Sequence, residues 1–208
     1  MPESERIPVF PLRLVLFPNE VLPLHIFEPR YTEMIKYCLD QDSVFGVVTE
    51  MERGLADFGS TARIRRVIRQ YDDGRLDIET TGETRFRLFE KHSEHAYLTA
   101  DVRYLSDEEV DADGGAKEQA TALHMRLLEA VGDDIKPSSY SDADPVSFRI
   151  ATTAGLDIDG RLQLLEMNNE VERLRYLIEH IQQLISHIEQ AKERHGRVSS
   201  NGHFNQAG

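Results

Sequence analysis

Residues 7–31 read IPVFPLRLVLFPNEVLPLHIFEPRY, and five prolines (Pro8, Pro11, Pro18, Pro23 and Pro29) interrupt an otherwise almost continuous apolar run. Proline cannot donate to a sheet ladder and breaks a helix interior, so the run predicts short buried strands with fixed stops. Strands are expected at Ile7–Leu12 and Val21–Phe27, with Leu22, Leu24 and Ile26 on one face at period two. Pro29 suits the first position of a helix, and the preceding Glu28 carboxylate is expected to accept from the free amides there. Tyr31, Met34, Ile35 and Cys38 form the helix's apolar stripe, which Asp40–Asp42 ends.

Working outward, Val44–Thr49 reads as a buried strand and Ala62–Gln70 as another, with a phase shift between Ile64 and Val67 that predicts a bulge. Asp72-Asp73-Gly74 is a turn signal leading to Arg75–Thr80, so these two strands should form a hairpin. Arg85–Phe89 and Tyr97–Leu105 complete a set of short, bent strands that favours a closed or nearly closed barrel. The pattern then becomes helical: Lys117–Ala130 ending at Gly132, a helix opened by Asp144-Pro145 and stopping near Gly155, and a short one at Leu162–Glu166. From Asn169 a long helix places Val171, Leu174, Ile178, Ile181, Ile185 and Ile188 at spacings of three and four. Leu177, Leu184 and Ala191 widen that stripe, which points to packing in a helical bundle, with self-association through the same face as the alternative. The expected class is α+β: a barrel over 1–106, a helical part over 107–195, and a polar tail over 196–208 too poor in apolar residues to fold alone.

Composition narrows the function classes. The net charge is −13, from 24 Lys+Arg against 37 Asp+Glu, so the chain as a whole repels nucleic acid and anionic membranes. Acid gathers in 106–113 and 133–144, which read as solvated connections, while arginines gather between Arg63 and Arg87. Nothing approaches the length of a membrane span or resembles a secretory signal, so a cytoplasmic protein is expected. Cys38 is the single cysteine, which excludes an internal disulfide and a multi-thiolate metal site.

The segments PVFPLRLVLFPNEVLPLHIFEPRYTEM, FGVV, FGSTARI, DGRLDIETTGETRFRL and YLTADVRYL, with LQLLEMNNEVERLRYL near the end, together resemble the Lon amino-terminal or substrate-binding domain over about 7–190. The resemblance implies a PUA-like β-barrel followed by a helical bundle. It also implies a role in engaging unfolded or tagged polypeptide ahead of ATPase and protease modules. No G-x-x-x-x-G-K-[ST] phosphate loop is present and the chain ends where that ATPase would begin, so a stand-alone, non-enzymatic member without a cofactor is expected. Unfolded or hydrophobic polypeptide is the expected partner, with a separate protease or chaperone as a further one.

No catalytic constellation supports a hydrolase. His92-Ser93-Glu94-His95 lacks a third ligand at recognisable spacing and reads as a loop. His180 and His187 read as solvated helix positions, and His25 as an outward-facing polar residue of its strand. For polypeptide capture Phe17, Phe27, Tyr31 and Phe58 are the candidate apolar liners, although large aromatics beside prolines in a buried strand usually pack, so core positions are the favoured reading for each. Arg63, Arg65 and Arg66 are the candidate basic surface, extended by Arg69, Arg75, Arg85 and Arg87. RNA binding through that surface is the alternative function, set against cross-strand ion pairing with the interleaved acids.

Overall fold

In the computed structural model, which describes residues 4–108, 115–133, 140 and 145–201, strand β1 (Glu5–Leu12) has two neighbours. It runs parallel to β3 (Phe45–Met51) and antiparallel to β6 (Leu98–Tyr104). The two long strands β4 (Gly54–Gln70) and β5 (Leu76–His92) connect these neighbours by antiparallel pairs β3–β4, β4–β5 and β5–β6. The ring β1-β3-β4-β5-β6 therefore closes, and β2 (Val21–Ile26) adds to the first half of β5 in a mixed sheet of six strands. Closure removes most of the exposed ladder that an open sheet would carry.

Inside the ring, Ile7, Val9, Val48, Phe86, Ala100 and Val102 form one apolar cluster. A second cluster brings Phe10, Phe45, Val47 and Ile78 against helix α1 (Pro29–Asp40). Tyr31, Met34, Ile35 and Cys38 are all buried, as the stripe requires, and Tyr31 packs on Phe10 with ring centroids 4.1 Å apart. Pro29 opens the helix, but Glu28 makes no side-chain cap; its carboxylate instead holds Arg30 at 2.8 Å. A full guanidinium charge nearby competes with the partial charge of free amides.

The bulge expected between Ile64 and Val67 is present as register shifts at Ile64/Arg66 and Val67/Arg69. Tyr71 and Arg75 close the hairpin turn, with Gly74 at φ +90°. Strand boundaries differ from the sequence expectation most in β4 and β5. β4 begins at Gly54 rather than Ala62, because small and polar residues there, Ser60 and Thr61, are buried against β5. Thr61 Oγ1 donates to the Thr84 carbonyl and accepts from the Thr84 amide, which satisfies the Thr61 hydroxyl. β5 also continues through Thr81–Thr84 where a break was expected.

Residues cluster into two compact units: Met1–Glu109 with Gly155–Asn169, and Val110–Ala154 with Glu170–Gly208. The second contains α2 (Ala116–Val131), α3 (Val146–Ala151) and the long α5 (Glu170–Asn201). Leu174, Leu177, Ile178, Ile181 and Ile185 are buried on α5, which packs against α2 and α3. Helix α4 (Ile158–Glu166) belongs to the first unit, so a division of the sequence at 106 does not coincide with this clustering. Helix α5 continues through Gly196 to Asn201, within the expected tail, while 202–208 lie outside the described residues. Most of the acidic connections expected over 106–113 and 133–144 also lie outside them. Among the described residues no helix is long and apolar enough to cross a membrane.

Candidate functional site

The connection from β1 to β2 (residues 13–20) is apolar and buried at Val15, Leu16 and Phe17, and it is clipped onto the middle of β5. Asn19 donates its amide to the Gly82 carbonyl at 2.8 Å, and Gly82 donates to the Glu20 carbonyl at 2.9 Å. A Cβ at position 82 would lie 2.1 Å from the Phe17 carbonyl oxygen, so this approach requires glycine. Helix α4 reinforces the clip. Arg161 donates to the Val15 carbonyl and to the Glu20 carboxylate, each at 2.9 Å, while its guanidinium lies 4.4 Å above the Phe17 ring. Asp157 caps α4 by accepting from the Gly160 amide at 2.8 Å.

At the other end of α4, Arg85 reaches out of β5 and donates to the carbonyls of Leu165 at 2.7 Å and Met167 at 2.6 Å, and to Asp107. Arg85 is buried, so it serves as an anchor rather than as part of an exposed basic face. These two arginines explain why a short helix distant in sequence joins the barrel unit.

An open groove results on this unit. Its inner part, about 400 Å³, lies between the β1–β2 connection and the start of α4, with Leu14, Leu22, Leu156 and Ile158 on its walls. It adjoins a wider trough of about 1050 Å³ that Met51 and Ile158 line together with the β3–β4 turn. Met51 and Ile158 are 36% and 39% exposed, so each has apolar surface left to cover. The trough's rim mixes signs: Arg13 and Arg53 against Glu50, Glu52, Asp157 and Asp159. Arg13 pairs with Glu50 at 3.5 Å, but both side chains are exposed and the pair contributes little to stability.

None of the residues offered in the sequence as a binding surface lines this groove. Phe17 and Tyr31 are buried, and Phe58 is half-buried beneath Arg87. Phe27 is 63% exposed and stacks on His25, whose Nδ1 lies 2.6 Å from Asp77; Tyr71 donates to the other Asp77 oxygen at 2.7 Å. Arg63 pairs with Glu83 at 2.8 Å, Arg65 shares that carboxylate at 3.4 Å, and Arg66 holds Glu79 at 2.8 Å. Arg69 and Arg75 lie over the Tyr71 ring. Cross-strand pairing thus occupies the basic surface proposed for RNA. His180, expected to be solvated, is half-buried with Nε2 3.0 Å from the Ala154 carbonyl. Met51 escaped the sequence reading because the β3–β4 hairpin was not recognised; its MERG turn was the available signal.

Residues 6–183 match the family model described as "ATP-dependent protease La (LON) substrate-binding domain". The chain belongs to that family. Among its relatives, "Lon protease 2" of Myxococcus xanthus is 35% identical over 192 residues, covering 83% of this chain and 23% of that protein. The Lon protease of Parabacteroides distasonis is 33% identical over 150 residues, covering 66% and 18% respectively. This Lon-type chain therefore spans about a quarter or less of the curated relatives it matches. The matched model is that of a substrate-binding domain, not of a catalytic module. The crystal structure of a Lon N-terminal domain protein from Xanthomonas campestris superposes with a TM-score of 0.65 at 28% identity, covering 84% of this chain and 98% of that one. The N-terminal domain of the Mycobacterium avium complex Lon protease, at 22% identity, shares the fold with a TM-score of 0.64 over 86% of this chain and 98% of that one.

Proposed function

We propose that this Lon-type domain binds unfolded or hydrophobic polypeptide without cleaving it, and that a bound segment lies in the groove between the β1–β2 connection, the β3–β4 turn and α4. The carrying observation is an open apolar lining of Leu14, Met51, Leu156 and Ile158 bordered by charges of both signs. Such a lining fits apolar side chains of many shapes, because methionine adapts to its neighbours and mixed charges impose no single electrostatic requirement on the segment. The clip at Gly82 and the two arginine anchors hold the walls rigid, which lowers the ordering cost of binding. A client held there is available to a separate protease or chaperone.

The test is fluorescence anisotropy with a labelled, permanently unfolded apolar peptide, comparing the natural chain with the double variant Met51→Asp, Ile158→Asp. Covering the remaining exposed third of two such side chains contributes about 1–2 kcal/mol. Losing it weakens binding roughly 5- to 30-fold, and buried aspartates add to the loss. Absence of binding by the natural chain refutes the function, whereas equal binding by a folded double variant refutes the location.

A further inference from the structure

On the outer face of the barrel, the end of β5 and the start of β6 assemble a group that plays no part in the groove. Glu90 stands directly opposite Asp101, and His92 directly opposite Thr99. Ligand atoms of Glu90, His92 and Asp101 lie within 4.8 Å of one another. A register shift between Leu88 and Glu90 makes this possible. Leu88 joins the barrel core, and strict alternation would send Glu90 and His92 inward after it; the bulge turns both to the face that carries Asp101.

Two carboxylates directly opposed across a ladder repel unless a cation lies between them. Arg6, opposite Asp101 on β1, supplies one positive charge, with Nε 2.8 Å from Asp101 Oδ1. Glu94 is 3.8 Å from the same guanidinium, so Glu90, Glu94 and Asp101 outnumber it. A second, independent feature lies alongside. Thr99 is two residues before Asp101 on β6, hence on the same face; it is 6% exposed, and its hydroxyl has no hydrogen-bond partner among the described residues. Its neighbours across the ladder are His92 and Pro8, and a proline offers no amide to satisfy it. A buried hydroxyl without a partner is costly, and a water held by an adjacent ion would satisfy it.

We propose that Glu90, His92 and Asp101 bind a divalent transition-metal ion of the zinc type. One imidazole with two carboxylates suits zinc better than magnesium or calcium, which prefer all-oxygen sites. Side-chain rotations of about 1 Å bring the three donors to ordinary zinc bond lengths of about 2.0–2.2 Å. Asp101 Oδ2 lies 3.1 Å from His92 Nε2 and accepts from the Arg6 guanidinium at 3.3 Å, so the ion replaces both contacts to this oxygen, while Arg6 Nε keeps Asp101 Oδ1 at 2.8 Å and fixes the carboxylate's orientation. The sequence pattern concealed the set because its third ligand comes from a different strand.

Isothermal titration of the metal-free full chain with zinc chloride tests the site. The expected result is saturable one-to-one binding that weakens at least tenfold in His92→Ala and in Glu90→Gln, with His187→Ala unchanged. Anomalous diffraction at the zinc edge of the natural protein should place a peak between the three side chains, which keeps the test decisive if a variant misfolds. Absence of saturable binding, wild-type affinity in both folded variants, or a peak elsewhere overturns the assignment.

Discussion

Acidification should loosen the helical unit through one buried imidazole, His124 of α2. The ring is fully buried, with Nδ1 2.8 Å from the Tyr140 hydroxyl and Nε2 3.0 Å from the Thr153 hydroxyl. Burial, reinforced by the nearby Arg149 charge and opposed by a hydrogen bond with the Thr153 backbone, lowers its pKa from 6.5 to about 4. The folded state therefore binds the proton less readily than the unfolded state. The stability is fully present above about pH 6.5, declines as pH falls toward 4, and is lost below that. At about 1.36 kcal/mol per pKa unit, the full shift corresponds to roughly 3 kcal/mol, of which about 2 kcal/mol is lost by pH 5. Other groups titrate in the same range, so the comparison is with His124→Gln, which cannot gain the proton. Urea unfolding followed by circular dichroism at pH 7.5 and pH 5 should show the natural chain losing about 2 kcal/mol more than the variant. Hydrogen exchange over Ala116–Val131 should rise in parallel. Equal losses in both proteins would refute the buried-imidazole reasoning.

Two further perturbations test the walls of the groove. Gly82→Ala forces a methyl group against the Phe17 carbonyl, and a cost of about 2 kcal/mol should lower the melting temperature by roughly 4–8 °C; an unchanged melt would show that the clip yields freely. Arg85→Ala leaves the Leu165 and Met167 carbonyls and Asp107 without this donor, so about 3 kcal/mol should be lost and amide exchange across Ile158–Glu166 should accelerate first. Exchange there that matches the natural chain would contradict the anchoring role.

Local signals in the sequence were legible where one residue type has one physical solution. Pro29 opens its helix, Tyr31, Met34, Ile35 and Cys38 face inward, and the bulge near Ile64–Val67 appears as read. The first part of β4 was hidden because Gly59, Ser60 and Thr61 are small or polar yet buried, and the Thr61 hydroxyl finds its partner at Thr84 of the neighbouring strand β5 rather than locally. Helix α4 read as part of the helical region because nothing local shows that Arg161 and Arg85 attach it to the barrel through partners 141 and 80 residues away. The groove was illegible for a related reason: Arg13, Met51 and Ile158 meet only after β1 pairs with β3 and α4 returns. Isolated exposed side chains in three separated segments leave no periodic trace. Phe27, in contrast, is exposed beside His25 just past the end of β2, where continuing the strand's alternation could have placed it.

The most direct measurement is a cross-linking map of an unfolded client on the natural chain. A photoreactive apolar peptide is bound, irradiated and located by mass spectrometry. Cross-links concentrated on Met51, Ile158 and the 13–20 connection, and competed away by unlabelled unfolded protein, are the predicted result. Saturable cross-links confined to surfaces away from that groove, or none above a folded control protein, would contradict the account.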